Sequence, residues 1–216
     1  MNRLDIATKI RDNISDAGIT YYSKSDINES IQDGYDEVAV YSECIERWTV
    51  LPQVVDTTYY DFSTIIPDYY RIISIWGMEY KMFMEPVVDR DLVSYQQDWE
   101  LASYGSREFM ILGPNYVGIS GRRSSIGSEN QYRIYYKAQA NKMTLDTDIP
   151  RININYHNLL ELYGTADMLD QNQEYGKAAG YWNQYNDKLE KYKQKIQLLA
   201  KGDRVFTREG YISYGY

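Results

Sequence analysis

The sequence predicts an α+β protein, mainly helical: an antiparallel helix bundle with a β-rich insertion and an extended C-terminal tail. Three observations predict it. Apolar residues recur at helical spacing at both ends of the chain. Between them, β-branched and aromatic runs are broken by Gly and Pro. The closing segment GDRVFTREGYISYGY follows Gly202 and has no helical period. The expected boundaries are 1–48 and 151–200 for the bundle, 49–138 for the insertion and 201–216 for the tail.

The first helix is expected from Leu4 to Asp16. Leu4, Ala7, Ile10 and Ile14 share one face, and Gly18 stops it. The second starts at Ser23, where Ser23-x-x-Asp26 reads as a capping box with an acid at the helix's positive end. Its stripe is Ile27, Ile31, Val38 and Ile45, with Tyr35 and Tyr41 beside it, and it runs to about Glu46. Gly34 weakens its middle.

From Trp48 the pattern changes to β. Val50, Val54 and Val55 surround Leu51-Pro52, and Pro suggests an edge strand. The run YRIISIW, Tyr70–Trp76, has the enrichment of a buried strand and ends at Gly77. Met78–Met84 is placed to pair back on it. Asp89–Trp99 reads as a short helix through Leu92, Tyr95 and Trp99. Phe109–Leu112 and Tyr116–Ser120 pair around Gly113-Pro114, Gly121–Asn130 is a polar loop, and Gln131–Lys137 is a further strand.

Asp146–Pro150 is a loop, and helix resumes near Asn153 with Tyr156, Leu159, Leu160, Tyr163 and Leu169 inward. The last helix, about Tyr175–Ala200, places Ala178, Trp182, Tyr185, Leu189, Tyr192, Ile196 and Leu199 at alternating spacings of four and three. Such a seam suits antiparallel packing. Lys193, Lys195 and Lys201 favour its negative end.

Composition points to contact rather than chemistry. The chain has 24 tyrosines but one cysteine and one histidine. Groups that titrate near neutrality, nucleophiles and metal ligands are therefore scarce. Tyrosine buries area at low entropic cost and keeps a polar tip, which suits interfaces. The net charge of -8 argues against a nucleic-acid footprint. No stretch is apolar enough to span a membrane, and no signal peptide is evident. Cys44 on its own forms neither an internal disulfide nor a zinc site, and an intracellular origin fits.

The candidate sites are weak. His157 lacks a nucleophile partner, and a structural role outweighs a catalytic one; Glu161, four residues on, is placed to touch it. Asp146-Thr147-Asp148 lacks the Gly and Glu of a calcium loop and reads as a turn. Gly118-x-x-Gly121 with Arg122-Arg123 lacks the Lys-Ser/Thr of a phosphate loop. No catalytic, metal or cofactor site is expected. The tail is the exception: Phe206, Tyr211, Tyr214 and Tyr216 are unusual in an extended segment. With Arg204 and Arg208 they are the expected contact residues, docking on a neighbouring subunit or folding back on the chain's own insertion.

The order of elements carries a resemblance. The stretch from Tyr59 to Ile66-Pro67-Asp68-Tyr69, the strand end Tyr135-Tyr136-Lys137-Ala138, and Ile149-Pro150 followed by Leu159-Leu160-x-Leu162-Tyr163-Gly164-x-Ala166 resemble the head-to-tail adaptor proteins of short-tailed and related tailed bacteriophages. The likeness spans about residues 1–200, and the tyrosine-rich insertion with its extra helix near Leu92 departs from it. The resemblance implies a virion protein assembled in the host cytoplasm. It would form a homo-oligomeric, typically twelvefold ring under the portal and extend the DNA channel. Tail or nozzle proteins would dock below, and the C-terminal segment would reach the portal. Genomic DNA would pass without specific binding, along a wall where carboxylates are expected to concentrate. No enzyme chemistry or cofactor is implied. Another tail structural protein, a carbohydrate-binding module and a small hydrolase with paired carboxylates are the alternatives.

Overall fold

Two reciprocal caps start the first helices. Asn2 accepts from the Asp5 backbone N–H at 2.8 Å and Asp5 accepts from that of Asn2 at 3.0 Å; Ser23 and Asp26 repeat the exchange at 3.1 and 3.0 Å. The computed structural model describes residues 1–15, 21–54, 57–78, 81–87, 108–120, 131–202, 205–206 and 212–213. The helix expected over Asp89–Trp99, the loop Gly121–Asn130 and the stop at Gly18 lie outside the described residues. The chain divides into two compact units, Met1–Ile45 with Gln139–Gly202, and Glu46–Ala138 with Asp203–Tyr216.

The first unit holds α1 (Arg3–Asn13), α2 (Lys24–Ser42), α4 (Asn158–Gln171) and α5 (Tyr175–Gly202). Helix α1 is turned from the expected face. Ile6, Ala7 and Ile10 are buried, while Leu4 is half exposed. The cause is Arg3, whose guanidinium is drawn inward to Met143 O at 2.8 Å, Thr144 O at 3.0 Å and the Asp146 carboxylate at 2.9 Å. Helix α2 ends at Ser42 with Glu43 in the left-handed region at φ 50°, short of the expected Glu46, because the next residues join a sheet.

Helix α4 is buried on most sides: Leu159, Leu160, Leu162, Ala166, Met168 and Leu169 all lie in the core. Glycine makes that packing feasible. A Cβ on Gly34 of α2 would stand 2.8 Å from Tyr163 Cγ and Cδ1, and one on Gly164 of α4 would stand 2.4 Å from Ile10 Cδ1. The expected α5 seam is buried at Ala178, Tyr185, Leu189 and Tyr192, then loses its cover: Leu199 is 57% exposed. Tyr163, Trp182 and Tyr185 pack edge to face, with centroids 5.1–5.9 Å apart.

The segment before α4 is pinned by side chains rather than by regular structure. Tyr35 OH accepts from the Arg151 N–H at 2.8 Å and donates to Asn141 at 3.0 Å, and Gln32 accepts from the Met143 N–H at 2.9 Å. A 3₁₀ turn at Ile154–Tyr156 leads into the helix.

The second unit contains β1 (Glu46–Pro52), β2 (Tyr59–Asp61), α3 (Phe62–Ile65), β3 (Tyr69–Gly77), β4 (Met82–Phe83), β5 (Glu85–Val87), β6 (Glu108–Leu112), β7 (Tyr116–Ile119) and β8 (Gln131–Ala138). One sheet has the order β1-β8-β3-β4, all antiparallel; the other has β2-β7-β6-β5, with β5 and β6 parallel. Pro52 ends an edge strand and Pro86 lies on another, where no ladder donor is missed. Gly113 makes the β6–β7 turn at φ 70°. The closing strands β9 (Val205–Phe206) and β10 (Ile212–Ser213) pair antiparallel.

The protein is therefore not a mainly helical bundle. Among the described residues helix accounts for 48% and strand for 26%, in two full sheets as well as the closing pair. The second unit has its own core, with Phe62, Ile75, Val117 and Ile134 fully buried. Strand pairs such as Glu46 with Lys137 are remote in sequence, so adjacent runs did not reveal the sheets they build.

Candidate docking surfaces

Strands β1, β8, β3 and β4 alternate side chains across their sheet. Tyr132, Ile134 and Tyr136 point inward and are buried. On the same side Asp68 accepts from Tyr136 OH at 2.9 Å and pairs with Arg47. Burial, reinforced by Asp68, pushes the Tyr136 phenol up to about 12.

The opposite side is aromatic. Register aligns Val50, Arg133, Trp76 and Phe83 in one row and Trp48 with Tyr135 in the next. Trp76 meets Phe83 edge on at 4.9 Å, and Phe83 lies 6.1 Å from Tyr135. The Arg133 guanidinium sits 5.0 Å over the Trp48 ring, which is still 59% exposed. Sequence reasoning found β8 but not this face; the Arg133-Tyr135 alternation within it was the available signal. Arg133 occupies one side of the indole, the surface on which a sugar ring would stack. A glycan array that lit up would revive the carbohydrate reading.

On the first unit, α2 turns a carboxylate face outward and α5 a lysine face. Tyr185 OH donates to Glu37 at 3.1 Å and Tyr41 OH to Glu190 at 2.8 Å. Burial, with Glu37 beside it, drives the Tyr185 phenol far above its ordinary value. A cleft of about 680 Å³ is lined by Asn13, Tyr21, Tyr22, Leu169, Glu174 and Tyr181, among others.

His157 is fully buried. One ring nitrogen lies 3.1 Å from Ile152 O and the other 3.2 Å from the Met1 nitrogen. The expected partner Glu161 instead accepts from Lys9 and Asn13. Burial lowers the His157 pKa, so the fold holds a neutral imidazole. The unfolded chain takes up that proton below about pH 6.5. The contribution of His157 is thus complete above that value and lost as pH falls toward the folded pKa. His157→Gln should flatten the stability–pH slope below about pH 6.5, read by urea denaturation across pH; an unchanged slope would refute the role.

Asp146 and Asp148 build a turn, as expected. Asp148 accepts from the Thr144 and Leu145 N–H groups at 2.7 and 2.8 Å, while Asp146 binds Arg3 and Lys24. Those partners hold the Asp146 carboxyl below its usual range. Gly118 is a β7 residue paired with Tyr59 and Met110; Gly121, Arg122 and Arg123 lie outside the described residues. So do Arg204, Arg208, Tyr211, Tyr214 and Tyr216 of the tail. The Phe206 backbone lies in β9, opposite Ile212. No described helix is long and apolar enough to cross a membrane, and no metal-ligand cluster occurs among the described residues.

A family model described as SU10 adaptor protein matches residues 1–208, across both units. No curated protein matches the chain.

Proposed function

Since the chain belongs to the SU10 adaptor protein family and is thus a phage adaptor, we propose that it works as a homo-oligomeric ring below the portal. The ring extends the DNA channel and offers a floor on which tail or nozzle proteins dock. It acts by contact, with no enzymatic step of its own, and DNA passes it without specific binding. The observation that carries this reading is the family match over nearly the whole chain.

The tail is the proposed grip on the portal or on a neighbouring subunit. Helix α5 sheds its apolar cover before it ends, leaving Leu198 and Leu199 exposed just ahead of Phe206, Tyr211, Tyr214 and Tyr216. Each aromatic that becomes fully buried on a partner contributes roughly 1.5–3 kcal/mol, and Arg204 and Arg208 supply charge-assisted hydrogen bonds to carboxylates. Deleting 203–216 tests it. The expected result is loss of portal binding or ring formation, with the melting temperature of the isolated chain unchanged. A truncated chain that still assembles on the portal with full affinity overturns the role of the tail. The β9–β10 pairing favours a second reading, in which the tail folds back within its own unit; it predicts that the same deletion lowers the melting temperature.

A further inference from the structure

Asp26, Glu29, Asp33, Asp36, Glu37 and Val40 fall within an arc of about 100° on α2 when placed at 3.6 residues per turn. All are exposed, and the arc faces away from the buried Ile27, Ile31 and Val38. Asp36 accepts from Gln32 and Glu37 from Tyr185. None of the five carboxylates is ion-paired with a described cation.

On α5, Lys188, Lys191 and Lys195 share a face with Leu198 and Leu199. Lys191 has a local partner in Asp187 at 2.6 Å, and Lys195 lies 5.5 Å from the Tyr156 ring centroid. The two faces match in step over their last two intervals and differ by one residue in the first. Glu29, Asp33, Glu37 and Val40 follow at intervals of four, four and three; Lys188, Lys191, Lys195 and Leu198 follow at three, four and three. Laid parallel, each carboxylate meets a lysine and Val40 meets the exposed leucines.

The direction also fits. Within one copy α2 and α5 run the same way, since Glu37 reaches Tyr185 and Tyr41 reaches Glu190 further along. Tyr41 and Lys193 mark the flank of α5 that α2 covers. The lysine face lies about half a turn away from that flank at 100° per residue. A rotation about an axis along the helices keeps them parallel, so one copy's α2 presents its acids to the free flank of the next copy's α5.

We propose that the acidic face of α2 docks, parallel and in this register, on the lysine face of α5 in a second copy of the chain. The contact is head to tail, and therefore closes a ring or extends a filament. It rests on the proposed self-assembly and assigns the surfaces that make it.

The test uses the full chain in two charge-reversed forms: Lys188→Glu/Lys191→Glu/Lys195→Glu, and Glu29→Lys/Asp33→Lys/Glu37→Lys. Analytical ultracentrifugation reads assembly at low and high salt, and circular dichroism checks folding. The wild type is expected to assemble less as salt rises. Each reversed form should self-associate about tenfold to a hundredfold more weakly, and mixing the two should restore assembly in alternating copies. Should a reversed form fail to fold, the Lys→Gln triple on α5 replaces it and should weaken assembly about tenfold. Variants that assemble like the wild type, or a mixture that recovers nothing, overturn the helix pairing alone. A wild type that stays monomeric under all conditions, alone and with portal, overturns the ring as well. Reversal of the lysine face that abolishes DNA binding but spares self-association shows a nucleic-acid surface and also overturns the pairing.

Discussion

Gly34→Ala is expected to destabilise the helical unit by about 2 kcal/mol, even though alanine is the better helix former. Intrinsic propensity alone would gain about 1 kcal/mol. Against it stands Tyr163, whose Cβ, Cγ and Cδ1 lie 3.0, 2.8 and 2.8 Å from the new methyl. A ring tip turns aside easily, but a Cβ moves only with its backbone. This ring is also held edge on by Trp182 and Tyr185. Overpacking of a closed core costs about 1–3 kcal/mol and occasionally more, so the clash wins. The melting temperature should fall by roughly 4–8 °C, at about 2–4 °C per kcal/mol for a chain of this size. Gly180→Ala is the control. Its Cβ meets nothing within 4 Å, so it should gain up to about 1 kcal/mol. Thermal melts followed by helix ellipticity check both; equal shifts for the two would refute the close-contact account.

Asp68→Ala should be the more damaging change in the sheet unit, at about 3 kcal/mol. The carboxylate holds Arg47 and Tyr136 together, and both side chains of the ion pair are about three-quarters covered at 26% exposure. Its removal strands a guanidinium whose Nε is already buried without a hydrogen bond. Breaking a fully buried pair from one side costs about 3–5 kcal/mol, and partial exposure moves this site to the lower end. Tyr136→Phe leaves the ion pair intact and should cost only about 1 kcal/mol. Urea unfolding followed by tryptophan fluorescence is the readout, since Trp48 and Trp76 both sit in this sheet. A Tyr136→Phe loss equal to that of Asp68→Ala would show that the hydroxyl, not the charge, matters.

Local signals in the sequence were good guides to local structure. The Ser23–Asp26 exchange, the edge at Pro52, the β6–β7 turn at Gly113 and the strand through Ile72 and Ile75 all follow from neighbours within a few residues. Fold class did not follow, because it depends on which strands meet. β8 joins β1 and β3 from far along the chain, and nothing in its own sequence names those partners. Faces set by one long-range anchor were also hidden. Arg3 looks like a surface cation in MNRLD, yet its three oxygen partners, 140 or more residues away, rotate α1 and expose Leu4. Gly34 read as a weak point; the structure makes it the seat of Tyr163. The tail residues were singled out by their aromatics, and the deletion of 203–216 decides their role.

Glu46 opens β1 and Lys137 nearly closes β8, and the two side chains meet at 2.7 Å. The chain therefore leaves the helical unit and returns to it through a doorway one strand spacing wide, about 5 Å. Residues 46–138 thus form a cassette whose two ends are fastened to each other. Loop-closure entropy grows only with the logarithm of length, and here the ends are already fastened. Lengthening or shortening the loops of the cassette leaves those fastened ends in place, so its loops and aromatic face can vary while the spacing of the ends stays the same.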